Sequence, residues 1–114
     1  MIRTGFWVNS QTLRKHFIMT RNEILQSLSD FQQEKRDEYH IRKIGVFGSV
    51  ARGQLRDDSD VDVVVELDNP DLLILVGIKQ DLEEVLQRSV DIVRFRDAMN
   101  AFLKQRIEQE AIYV

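Results

Sequence analysis

Residues 44–67 read Ile44-Gly45-Val46-Phe47-Gly48-Ser49-Val50-Ala51-Arg52-Gly53-Gln54-Leu55-Arg56-Asp57-Asp58-Ser59-Asp60-Val61-Asp62-Val63-Val64-Val65-Glu66-Leu67. Two β-favouring runs flank a Gly-Ser turn and an acidic approach. The first run takes in Ile41, Ile44, Val46 and Phe47 and stops at Gly48, which predicts a strand of about six residues. Val61, Val63, Val64, Val65 and Leu67 form the second, stopped by Asp68-Asn69-Pro70. Alternate side chains of a strand share one face about 6.6 Å apart, so Asp60 and Asp62 project together while Val61, Val63 and Val65 point the other way. Paired hard oxygen donors at the end of a buried strand suit magnesium, which takes one or two carboxylates plus substrate phosphates. Gly48 and Ser49 follow the first strand and open a short helix, where backbone amides, a hydroxyl and the positive helix end can hold a phosphate. A phosphate cradle after one strand and a carboxylate pair at the start of the next are the two halves of a nucleoside triphosphate site.

Outward from this segment the pattern is α/β. Thr20-Arg21-Asn22-Glu23 has the form of a capping box, and Ile24, Leu25, Leu28 and Phe31 recur at helical spacing, predicting a helix over 21–37. Pro70 suits the first turn of a second helix, capped by Asn69 or Asp68, with Leu72, Leu75, Val76, Leu82, Val85 and Leu86 running on to Arg88. Val90-Asp91-Ile92-Val93 predicts a third strand. Asp97 is the expected cap of a last helix carrying Met99, Phe102, Leu103, Arg106 and Ile107, and residues 111–114 add a terminal strand. The order predicts a sheet with helices packed against it. Residues 1–18 mix Phe6, Trp7 and Phe17 with polar residues at no sustained period, so they are expected to be a flexible extension to a domain over 19–114.

Composition limits the function classes. The chain of 114 residues fits one domain, with 43% hydrophobic and 31% charged residues, enough apolar material for a core. With no cysteine it has neither a thiol nucleophile nor a thiolate metal site, and it suits a reducing cytoplasm. No apolar run reaches the roughly 18 residues of a membrane span. The net charge is −3, but residues 1–20 hold Arg3, Arg14 and Lys15 and no acid, leaving 13 bases against 19 acids in the remainder. Those bases are scattered, so neither a phosphate-backbone interface nor direct nucleic-acid binding is expected. From Asp57 to Asp71 there are seven acids and no base, a repulsion that asks for a cation. An EF-hand loop starting at Asp58 fails, because its glycine and glutamate positions hold Val63 and Asn69. A P-loop fails for want of a Lys-Ser or Lys-Thr pair after Gly53. His16 and His40 have no partner at metal-ligand spacing.

Gly48-Ser49, ten residues, then Asp60-x-Asp62 resembles the signature of the DNA polymerase beta-like nucleotidyltransferases. Gly-Ser-x-Ala-Arg-Gly followed by Ser-Asp-x-Asp is similar, more narrowly, to the minimal nucleotidyltransferase (MNT) family, the antitoxin half of HEPN/MNT toxin-antitoxin pairs. The resemblance spans about residues 20–114. It implies a small mixed β-sheet of the polymerase beta palm type, ATP with magnesium, two ions being expected, and transfer of AMP onto a hydroxyl. For MNT antitoxins the acceptor is a tyrosine of a HEPN ribonuclease toxin. By the same resemblance Asp91 is the third carboxylate, a metal ligand or proton acceptor beside the metal ligands Asp60 and Asp62. Gly48, Ser49, Arg52 and Ser59 are then the nucleotide-binding residues. Two alternatives stay open: an antitoxin that works by occlusion without catalysis, and a nucleotidyltransferase acting on a small molecule. Leu73, Ile74, Ile78, Ile112 and Tyr113 are candidates for a toxin interface.

Overall fold

The structure, a computed structural model, describes residues 20–114; the expected extension at residues 1–18 lies outside the described residues. Among the described residues the first helix, α1 (Arg21–Tyr39), starts where the capping box predicts. The Thr20 hydroxyl accepts from the Glu23 amide at 3.1 Å and the Glu23 carboxylate accepts from the Thr20 amide at 2.7 Å. Its buried stripe is Ile24, Leu28 and Phe31, and it ends at His40, which takes a left-handed conformation with φ of 57°. Strand β1 (Ile41–Phe47) follows at once, then the single turn α2 (Gly48–Ala51), β2 (Val61–Leu67), α3 (Leu72–Leu86), β3 (Val90–Arg94), α4 (Ala101–Glu110) and β4 (Ile112–Tyr113).

The four strands lie in the order β3-β2-β1-β4. β1 is antiparallel to both β2 and β4, while α3 crosses between the parallel strands β2 and β3, so the sheet is mixed as expected. One face carries Ile44, Val46, Val61, Val63, Val65 and Val90, packed with the stripe of α1 and with Ile78, Leu82 and Leu86 of α3. The opposite face holds a smaller core of Phe47, Val64 and Ile107, with Val93, Phe95, Met99 and Leu103 around it, beneath α4. Burial on both faces explains the near-continuous valine run of β2. Among the described residues no helix is long and apolar enough to cross a membrane.

The helix starts differ from expectation in an instructive way. Asp71 caps α3, its carboxylate accepting from the Leu73 amide at 2.7 Å, and Pro70 stands just outside the helix. Asn69 has no part in the cap, and Asp68 pairs with Arg42 at 3.2 Å. Asn100 caps α4 through the Leu103 amide at 3.0 Å, while Asp97 faces Lys104 at 3.4 Å. In both cases the residue directly before the first helical turn supplies the cap oxygen, as the geometry of an N-cap requires. The apolar stripes were also read too broadly. Ile78 is fully buried and belongs to the core, not to an interface, whereas Leu72, Leu73 and Phe102 are about three-quarters exposed.

Gly45 sits in β1 with β2 on one side and β4 on the other. A Cβ there would meet the Ile112 carbonyl oxygen at 2.5 Å and the Tyr113 Cα at 2.9 Å, both backbone atoms. Gly45→Ala therefore has to push β4 off the sheet edge, and overpacking of this kind costs about 1–3 kcal/mol. The expected result is a thermal midpoint lower by about 4 °C or more, read by circular dichroism; an unchanged midpoint rejects β4 as an integral strand.

Candidate active site

The register of the sheet assembles the carboxylates. Asp62 pairs with Phe47 of β1 on one side and with Asp91 of β3 on the other. Because Val61, Val63 and Val65 enter the core beneath α1 and α3, Asp62 projects from the α4 face, as the alternation predicted. Asp60 stands just before β2 and is exposed, as is Asp91, while Asp62 is partly buried. Burial raises the Asp62 carboxyl above the ordinary carboxylate range, Asp91 and Asp60 raise it further, and Arg106 and Arg52 oppose the rise. Asp62 thus feels both other acids, and the hard oxygen set fits a divalent magnesium ion. Among the described residues no three carboxylate or imidazole groups are gathered closely enough to enclose an ion alone. A site of one or two carboxylates that shares its ion with substrate phosphates has no need of such a cage.

The glycine turn lies against these acids. Gly48 has φ of 70°, and a Cβ built on it would run into the Asp62 carboxylate, so only glycine lets β1 turn into α2 at this spot. Among the described residues the Ser49 hydroxyl has no hydrogen-bond partner. Arg52 donates from Nε to Gln54 at 3.0 Å and from Nη1 to both Glu110 oxygens at 3.1 Å. The same Glu110 accepts from the Gly48 amide at 3.0 Å. Ser59 is used differently: its hydroxyl accepts from the Arg56 amide at 3.2 Å and its own amide donates to the Arg56 carbonyl at 3.1 Å, closing the turn that delivers Asp60. The Arg88 guanidinium fastens that loop by donating to the carbonyls of Arg56 and Asp57.

Gly48, Arg52, Asp60, Asp62 and Asp91 are therefore brought together, and Ser59 shapes the loop beside them. Arg88, Arg106 and Glu110 were not foreseen as site neighbours. The one signal for Glu110 was an acid in the last turn of a helix, where the dipole disfavours negative charge.

Comparison with known proteins agrees with this geometry. The profile of the nucleotidyltransferase domain family matches residues 22–114. The protein adenylyltransferase MntA of Thermococcus cleftensis is 34% identical over 98 residues, covering 85% of this chain and 98% of its own. A solved minimal nucleotidyltransferase structure superposes with a TM-score of 0.68 at 33% identity, covering 82% of this chain and 95% of the other. The MNT antitoxin bound to a tri-AMPylated HEPN toxin of Shewanella oneidensis shares the fold, with a TM-score of 0.62 at 18% identity, covering 82% of this chain and 71% of that one. With its two sequence signatures seated on the strands that the fold requires, the chain belongs to the nucleotidyltransferase domain family and is a nucleotidyltransferase.

Proposed function

We propose that this protein is an ATP- and magnesium-dependent protein adenylyltransferase of the cytoplasm that moves AMP onto a tyrosine hydroxyl of a HEPN-family toxin and so acts as its antitoxin. The observation that carries the reading is the register of Asp62 with Asp91, with Asp60 close enough to raise the Asp62 carboxyl. Converging acids of this kind have no use in an antitoxin that works by occlusion. The resemblance to an MntA adenylyltransferase and to a toxin-bound MNT fold supports the choice of AMP and of a HEPN partner.

In the reaction so assigned, the acceptor oxygen attacks the α-phosphorus of ATP, the bond from that phosphorus to the bridging oxygen breaks, and pyrophosphate leaves. Ser49 and Arg52 hold the departing phosphates, the guanidinium meeting negative charge as it grows on them. In this reading Asp91, which is exposed on β3, ligates the metal or takes the proton of the acceptor hydroxyl. Asp60 and Asp62, with Asp91, would hold the magnesium, which when bound neutralises phosphate charge and makes the acceptor hydroxyl more acidic.

The test uses labelled ATP, magnesium and a HEPN-family toxin as acceptor. Label is expected on the toxin, to be lost when its acceptor tyrosine is changed to phenylalanine or when Asp60→Ala replaces the wild type. Transfer by Asp60→Ala at an undiminished rate rejects the site. Full neutralisation of the toxin by that variant, without label, favours occlusion instead.

A further inference from the structure

The Gly48 amide opens α2, yet the preceding residue, Phe47, has no side-chain oxygen with which to cap it. The cap comes from 62 residues away, from Glu110 in the last turn of α4. The sheet explains how: β4 pairs with β1, Gly45 with Tyr113 and Val46 with Ile112, so the end of α4 directly before β4 comes to the end of β1 where Gly48 begins the turn. β4 is therefore the ruler that fixes this carboxylate against the turn.

We infer that Glu110 is a positioning residue for nucleotide binding, clamping the Gly48 amide and the Arg52 guanidinium in the arrangement that receives the phosphates. This rests on the reading of Gly48–Arg52 as the phosphate-binding turn. The carboxylate engages Arg52 at 3.1 Å through Nη1, and Gln54 takes Nε, so two sides of the planar guanidinium are held. Its Nη2 has no partner among the described residues and is the edge left for a phosphate. Arg106 adds a second cation 3.8 Å from Glu110. Within α4 the pair with Arg106 offsets the unfavourable helix dipole at this end, but the carboxylate's shorter contacts leave the helix, to the Gly48 amide and to Arg52. A carboxylate that joins both halves of the turn acts through that turn. Arg52 freed from it would have to be ordered again at each binding event, and misplacement of about 1 Å at a reacting site costs on the order of a hundredfold.

The decisive measurement is calorimetric titration of MgATP into wild type, Glu110→Ala, Glu110→Gln, Arg52→Ala and the Arg52→Ala/Glu110→Ala double variant, with a thermal melt of each. Glu110→Ala is expected to weaken MgATP by about tenfold or more. Glu110→Gln, whose amide oxygen still accepts from Gly48, should fall between, and the loss in the double variant should be smaller than the two single losses combined, because Glu110 acts in part through Arg52. A lower midpoint with unchanged MgATP affinity in Glu110→Ala and Glu110→Gln overturns the inference by making the clamp merely structural. Tighter binding overturns it in the other direction, since the carboxylate then competes with phosphate. If affinity falls as expected but no toxin is labelled, the adenylyl-transfer reading fails while the clamp stands; if the wild type binds no MgATP, both fail.

Discussion

Asp62→Asn is expected to lower AMP transfer by roughly 10³-fold or more, beyond the loss usually seen on removing a single preorganised charge-stabilising group, and to stabilise the metal-free protein at neutral pH. The two effects have one cause. Asp62 is partly buried between Phe47 and Asp91, and its carboxyl is raised above the ordinary range by that burial and by the charges of Asp91 and Asp60. Between the unfolded and the raised folded pKa the native state holds more protons than the unfolded chain, so stability falls as pH rises through that interval. Below the ordinary carboxylate value of 3.8 the penalty is absent; above the folded pKa it is complete. Asparagine keeps the shape and removes the charge. In a chelator, thermal melts of the two proteins should therefore differ at pH 7 in favour of Asp62→Asn and converge below about pH 4. Magnesium should narrow the difference by stabilising only the wild type, because a ligand that binds the native state alone shifts unfolding by mass action. A variant less stable than wild type in chelator at pH 7 contradicts the electrostatic account of this site.

Much of this site was legible because strand periodicity and motif spacing are local. Asp60-x-Asp62 on a valine strand already implied a shared face, and Gly48 between a strand and a helix already implied a tight turn. Asp91 could be placed only by resemblance, since no local pattern reveals that β2 and β3 are parallel neighbours in a register that sets it beside Asp62. Glu110 was hidden for the same reason more strongly: its role depends on a two-residue strand pairing at the far end of the chain. The cap errors have a different origin. Several oxygen-bearing residues precede α3 and α4, and which one lies next to the first turn is set by where the loop ends, a tertiary matter. Exposure of Leu72, Leu73 and Phe102 was equally unreadable, because the apolar pattern says which residues can be buried and not which face the sheet receives.

Gly48→Ala is expected to combine a clear loss of stability with a loss of transfer of about a hundredfold or more, and the contrast with Gly53→Ala isolates the reason. Both glycines have positive φ, 70° and 72°, so each alanine meets the same left-handed backbone strain of about 1–2 kcal/mol. At Gly53 nothing lies within 4 Å of the new Cβ, and strain is the whole effect. At Gly48 the Cβ collides with the Asp62 carboxylate, so that carboxylate must swing away or the turn that leads to Ser49 and Arg52 must shift. Either movement dismantles the site. The clash is with a side chain, which makes it separable: in an Asp62→Ala background most of the excess destabilisation at Gly48 should vanish, because the obstructing oxygen is gone. Urea midpoints of the wild type, the two single variants and the double variant form the cycle, and a coupling of about 1 kcal/mol or more is expected between groups in direct contact. Strict additivity would mean that Gly48 and Asp62 do not touch, and the packing of the glycine turn against β2 would have to be abandoned.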